Sequence, residues 1–100
     1  MKTTDRNDNN FLRVEHNIQD SRFEIRIDFR YARLLYYFQG DSIVFTHTAV
    51  PGTWRGQDVG NTLVRAGLDF ARTRGLKVIP ECPFVSAYIR KTPEYQDLLE

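Results

Sequence analysis

Thr48-Ala49-Val50-Pro51-Gly52-Thr53-Trp54-Arg55-Gly56-Gln57-Asp58-Val59-Gly60-Asn61 runs from a β-branched segment, through a proline turn and a short loop rich in Arg, Gly and Gln, into an apolar-periodic helix. Strand, glycine loop and helix start in that order can hold a phosphate with backbone alone. The first amides of a helix have no intrahelical acceptor, and the helix dipole places partial positive charge on them. Glycines let the chain approach an anion without a Cβ in the way. The stretch therefore points to a phosphorylated ligand.

On the C-terminal side of this stretch the period is helical from Gln57 to Arg74, with Val59, Leu63, Ala66 or Gly67, and Phe70 as the stripe and Val64, Leu68 and Ala71 widening it. Arg72 and Arg74 lie in the last turn and Gly75 is the expected left-handed stop. Leu76–Pro80 is a short apolar run, read as a strand. Strand, loop, helix and strand make a crossover unit, so Ser42–Val50 and Leu76–Pro80 are expected to run parallel. Pro83 opens a second helix over Phe84–Lys91. Thr92-Pro93 breaks it, leaving Pro93–Leu99 as a short terminal helix or turn.

On the N-terminal side the period is two. Phe11–Ile18 places Leu12, Val14 and Ile18 opposite Arg13 and Glu15; Arg22–Phe29 sets Phe23, Ile25, Ile27 and Phe29 against Arg22, Glu24, Arg26 and Asp28. Ala32–Gln39 is apolar and aromatic on both parities, the pattern of a strand buried on both faces. Tyr31, Tyr36, Tyr37 and Phe38 are accordingly read as core. Gly40-Asp41 is a tight turn pairing it with Ser42–Val50, which Pro51-Gly52 ends. The order β-β-β-β-α-β-α predicts an α+β fold with an α/β-like crossover: a mixed, mostly antiparallel sheet with one parallel pair.

One hundred residues allow a single domain, here 11–100, behind a polar leader at 1–10 that reads as disordered. The composition, 41% hydrophobic and 27% charged, is that of a globular domain. A net charge of +1 gives no electrostatic footprint for nucleic acid. Arg65, Arg72, Arg74 and Lys77 fit a solvated helix face. No apolar run of roughly 18 residues exists to span a membrane, and the N-terminus lacks the apolar stretch of a signal peptide. The lone cysteine, Cys82, excludes an internal disulfide and fits a reducing, cytoplasmic setting. The chain is expected to be a monomer or weak dimer that binds no metal.

The element order, with Arg55-Gly56-Gln57-Asp58-Val59-Gly60, resembles the GNAT acetyltransferase superfamily and its Gln/Arg-x-x-Gly-x-Gly/Ala signature. His47-Thr48-x-Val50-Pro51, Arg55-Gly56-Gln57, Pro80-x-Cys82-Pro83-Phe84-Val85, Tyr88-Ile89 and Pro93-Glu94-Tyr95 are similar to the minimal, stand-alone GNAT-like N-acetyltransferase domains. The resemblance runs from about Phe11 to the C-terminus. It implies an acetyl-CoA-dependent N-acyltransferase acting on a primary amine, with acetyl-CoA as cosubstrate. It also implies that the parallel strand pair splays around the pantetheine arm near Ala49 and Val50. The diphosphate would sit on the loop and first turn: Arg55, Gly56, Gln57, Asp58, Val59, Gly60 and Asn61. Arg55 would meet a phosphate, and Trp54 would pack beneath the loop or against the ligand. A CoA-binding or redox-sensing module without catalysis is the alternative reading.

One position departs from the signature, whose central glycine is Asp58 here. A carboxylate there opposes a diphosphate, although Asp near a helix start favours the helix by about 0.3–1 kcal/mol. Replacing it with glycine is expected to tighten CoA binding at a slight cost in stability.

Acetyl transfer needs a neutral amine, a donor for the oxyanion and a fate for the departing thiolate. Cys82 is a candidate nucleophile or redox-sensing thiol near the thioester sulfur, or else a small buried side chain. His47 is a candidate acceptor of the amine proton; its parity with Ile43 and Phe45 makes a core histidine the competing reading. Tyr88 is a candidate donor to the leaving thiolate, or else core, one turn after Phe84. His16 has no motif around it and reads as surface or sheet edge.

Overall fold

A computed structural model describes residues 12–54 and 58–100. The leader at 1–10, and with it Phe11, lies outside the described residues, as do Arg55, Gly56 and Gln57. The strands are β1 (Val14–Asn17), β2 (Arg22–Ile27), β3 (Arg30–Gln39), β4 (Ser42–Ala49) and β5 (Lys77–Pro80), and the helices are α1 (Val59–Arg74) and α2 (Pro83–Arg90). Short 3-10 segments occupy Gly52–Trp54 and Pro93–Leu98.

The five strands form one sheet in sequence order; β1 to β4 pair antiparallel and β5 joins β4 in parallel. The mixed α+β architecture with one parallel pair is the one the sequence predicts. α1 lies across the sheet and touches all five strands, while α2 touches β4 and β5. The α1 stripe of Val59, Leu63, Val64, Leu68 and Ala71 is fully buried against Ile25, Leu34 and Phe45. Each such side chain contributes roughly 1.5–3 kcal/mol when taken out of water. Gly67 sets how close the helix sits: a Cβ there would come 2.9 Å from the ring of Phe45 and 3.0 Å from Leu34. Gly75, at φ 68°, stops α1 in the left-handed conformation.

Four sequence expectations need correction. β3 is buried on one parity only: Ala32, Leu34 and Tyr36 face the core, whereas Tyr31, Tyr37 and, at the strand's end, Phe38 are exposed. β2 ends at Ile27, because Asp28 takes a positive φ of 59° and makes the two-residue turn to Arg30. Phe29 is therefore the exposed tip of a hairpin and not a core residue. β1 is shorter than expected, and Ile18 is exposed beyond its end.

The fourth correction concerns His47. Leu35 pairs with His47 but the next residue, Tyr36, pairs with Phe45, so Thr46 is one residue too many on β4. A bulge of this kind turns everything beyond it onto the other face. His47 is exposed on the side away from the core, and Thr48, opposite Leu34, returns to the α1 side. The parity argument behind the competing reading of His47, a core histidine, fails at this bulge.

Candidate functional site

The parallel ladder between β4 and β5 ends at Phe45 opposite Pro80. Beyond it, among the described residues, β4 continues from Thr46 to Ala49 with β3 alone beside it. The Cys82 amide donates to the Phe45 carbonyl at 2.9 Å, tying the start of α2 to the last paired residue of β4. The strand pair is thus held together on one side of this point and parts on the other.

A cavity of about 570 Å³ opens there, lined by Thr48, Val50, Trp54, Asp58, Val59, Gly60, Asn61 and Phe84. Its size lies within the range of small-molecule sites. The turn Gly52–Trp54 closes with the Trp54 amide on the Pro51 carbonyl at 2.9 Å, which lays the buried indole along one wall. The first turn of α1 contributes Asp58, Val59, Gly60 and Asn61 to the same lining. The Thr62 amide bonds the Asp58 carbonyl at 3.0 Å, so the amides of Val59, Gly60 and Asn61 precede the helical ladder. They carry the positive end of the α1 dipole to the cavity.

Asp58 caps α1 in the left-handed conformation (φ 65°, ψ 16°), and its side chain makes no capping bond. Instead its carboxylate accepts the Asn61 side-chain amide at 2.9 Å and lies 3.7 Å from the Arg65 guanidinium. The negative charge that opposes a diphosphate is drawn down the first turn and partly matched there. Arg65 also donates to the Tyr88 hydroxyl at 3.4 Å, the largest influence holding its pKa above the ordinary guanidinium value.

Of the cofactor-binding residues expected from sequence, Val50, Asp58, Val59, Gly60 and Asn61 line this cavity together. Ala49 is not among the lining residues; it pairs with Arg33 on the face that His47 occupies. Arg55, Gly56 and Gln57 fall outside the described residues. Gly60 has a second use: a Cβ there would meet the Phe84 ring at 2.8 Å, so its bareness lets α2 approach α1.

The three candidate catalytic residues are not brought to one place. Cys82 is 4% exposed at the start of α2, and its Sγ stands 3.3 Å from Thr48 Oγ1. It reaches the cavity through Thr48. His47 stands on the opposite face of the same strand. Tyr88 lines a second, smaller cavity and packs 6.2 Å from the Tyr95 ring. Thr48 and Phe84 line the first cavity without having been singled out for a role. Thr48 lies in the stretch that opens the sequence argument, and Phe84 follows Cys82-Pro83, so both lay within motifs already read.

His16, read as surface or sheet edge, lies on the edge strand β1, but its ring is turned into an aromatic cluster rather than left at the surface. Its ring stacks on Phe23 at 4.1 Å between centroids, meets Phe70 edge-on at 4.6 Å, and hydrogen-bonds the Tyr36 hydroxyl at 2.6 Å. Burial, and then Arg74, lowers its pKa below the ordinary 6.5. The cluster lies at the Arg74 end of α1, at the opposite end of the helix from the cavity.

Residues 22–98 match the model of the GCN5-related N-acetyltransferase family. The protein named NATD1 from Mus musculus is 35% identical over 85 residues, covering 82% of this chain and 77% of that protein. NATD1 from Danio rerio is 33% identical over 90 residues, 87% of this chain and 82% of its own length. The solution structure of a GCN5-like protein from Staphylococcus aureus superposes with a TM-score of 0.73 at 30% identity, over 90% of this chain and 89% of that one.

Proposed function

The chain belongs to the GCN5-related N-acetyltransferase family, and from that premise we propose that it moves an acetyl group from acetyl-CoA to a primary amine. The observation that carries the proposal is the cavity shared by the start of α1 and the unpaired end of β4. Diphosphate would rest on the amides of Val59, Gly60 and Asn61, where the dipole favours an anion. The pantetheine arm would run toward Thr48, with the free backbone edge of Thr46–Ala49 supplying hydrogen bonds to its amides. Trp54 and Val50 keep water from the thioester.

The residues at the reactive end divide by face. The Thr48 hydroxyl, held by Cys82, is placed to donate to the carbonyl oxygen or to the departing sulfur. His47, on the other face of the same unpaired stretch, is placed to take a proton from an amine arriving over the open sheet. The amine nitrogen attacks the thioester carbon, the C–S bond breaks, and the amine proton leaves toward His47. Direct transfer suits this arrangement better than an acyl-cysteine, since Cys82 is buried behind Thr48. Much of the rate would come from holding the two reactants together. A single free thiol also fits a reducing, cytoplasmic setting.

The test is CoA release. With saturating acetyl-CoA and a panel of primary amines, free thiol should accumulate with at least one acceptor. A second reading, a CoA-binding module without catalysis, draws on the position of Tyr88 outside the first cavity. Binding of acetyl-CoA with no thiol released by any amine would favour it.

A further inference from the structure

The face of the sheet turned away from α1 carries a small block of side chains at the unpaired end of β4. Leu35 stands opposite His47 and Arg33 opposite Ala49, so the four residues form two adjacent rows across β3 and β4. Tyr31, next on the same face of β3, is 42% exposed beside them. Ala49 is the smallest side chain of the block. It leaves room between Arg33 and His47, which stand diagonally across it with backbones about 7–8 Å apart, within reach of long side chains. We propose that this block selects the acceptor. Arg33 pairs with the carboxylate of a small amino acid while the amine of the same molecule faces His47. This rests on the reading of His47 and of the first cavity given above.

Charge carries the assignment. Arg33 is exposed and has no ion-pair partner among the described residues. Glu24 stands opposite it on β2, but the Glu24 carboxylate accepts Arg22 Nε at 2.6 Å and the Asn17 side-chain amide at 3.4 Å. Glu15 continues that row on β1, two strands from Arg33, a separation of roughly one Debye length at physiological salt. The Arg33 guanidinium is thus left to a ligand, and its planar fork matches a carboxylate. Its charge also disfavours an ammonium beside it, and acyl transfer needs the neutral amine. A diamine would bring a second positive charge against it. Leu35 and Tyr31 offer apolar surface to the rest of the acceptor. Thr48, where the thioester would lie, is the neighbour of His47 on the other face of β4, reached past the edge that β5 leaves unpaired beyond Phe45.

Thiol release from acetyl-CoA tests the proposal, with small amino acids each set beside the matching carboxamide, and with alkylamines and diamines as further acceptors. Each rate is divided by the fraction of neutral amine at the assay pH. In wild-type protein kcat/KM for the best amino acid should exceed that for its carboxamide about fivefold, the upper span of one exposed charge pair. Arg33→Gln should bring that ratio close to one, and Arg33→Glu should take it below one and favour diamines. Arg26→Gln removes a cation opposite Tyr31, outside the block, and should leave the ratio as in the wild type. Equal wild-type rates for amino acids and carboxamides, or a preference that survives in Arg33→Gln, would overturn this assignment while the released thiol left acyl transfer standing. Absence of thiol release with every amine would overturn both.

Discussion

Thr48 Oγ1 and Cys82 Sγ stand 3.3 Å apart, joining the unpaired end of β4 to the start of α2. Thr48 faces the cavity and Cys82 stands behind it. Thr48→Val keeps the shape and removes the donor. Turnover should fall about 100-fold, the usual loss for one oxyanion donor, with little change in CoA affinity; thiol release and calorimetry measure the two separately. Cys82→Ser should retain most of the activity, because it preserves the contact. Rapid-quench mass spectrometry should find no acetyl adduct on Cys82, and an adduct that forms and decays at the turnover rate would establish the covalent route instead.

Asp58 holds φ 65° without a capping bond, which reverses one expectation drawn from sequence. Glycine adopts this conformation freely, whereas an L side chain strains to do so. Asp58→Gly should therefore raise stability, by about 0.5–1 kcal/mol in urea denaturation, and not lower it. CoA affinity should rise about threefold, since the lost carboxylate is exposed and already partly matched by Arg65. Identical CoA affinity in the two proteins would show that the carboxylate does not bear on the diphosphate.

Local signals in the sequence carried most of the fold and half of the site. The alternation of Phe23 and Ile25, the Gly40-Asp41 turn and the Gly75 stop each act within a few residues, and the structure reproduces them. The first turn of α1 was legible for the same reason. The Thr46 bulge was not, because the alternation of side chains through Phe45 and His47 gives no sign of one extra residue. Phe29 continues the apolar parity of β2, and only the φ of Asp28 removes it from the core. Phe84 and Tyr88 acquire their positions from the docking of α2 on α1, which depends on the absence of a Cβ at Gly60. His16 looks isolated in sequence because its partners, Tyr36 and Phe70, come from other elements.

Two glycines in α1 should respond oppositely to the same change. A Cβ at Gly67 would strike Phe45 and Leu34, both fully buried and unable to move aside. Gly67→Ala should cost about 1–3 kcal/mol of stability, despite a gain in helix propensity of about 1 kcal/mol. At Gly60 the obstacle is the half-exposed Phe84 ring, which can swing away. Gly60→Ala should be near neutral in stability yet weaken CoA binding, because the displaced ring enters the space the ligand needs. Urea midpoints and CoA titrations on both variants check the pair, and an equal loss of stability at the two sites would contradict the account of Phe84.

The His16–Tyr36 hydrogen bond predicts a dependence of stability on pH. Burial, reinforced by Arg74, lowers the folded pKa of His16 below its ordinary 6.5. The unfolded chain then takes up its proton at a higher pH than the folded one, so stability rises with pH across that interval. The contribution of His16 is complete above about pH 6.5 and is lost as pH falls through the lower folded value. His16→Gln keeps an acceptor for Tyr36 and removes the titration. Urea midpoints measured from pH 8 down to pH 5 should fall more steeply below 6.5 in the wild-type protein than in the variant. Parallel curves would mean that the imidazole meets no resistance to its charge inside the aromatic cluster of Phe23, Tyr36 and Phe70.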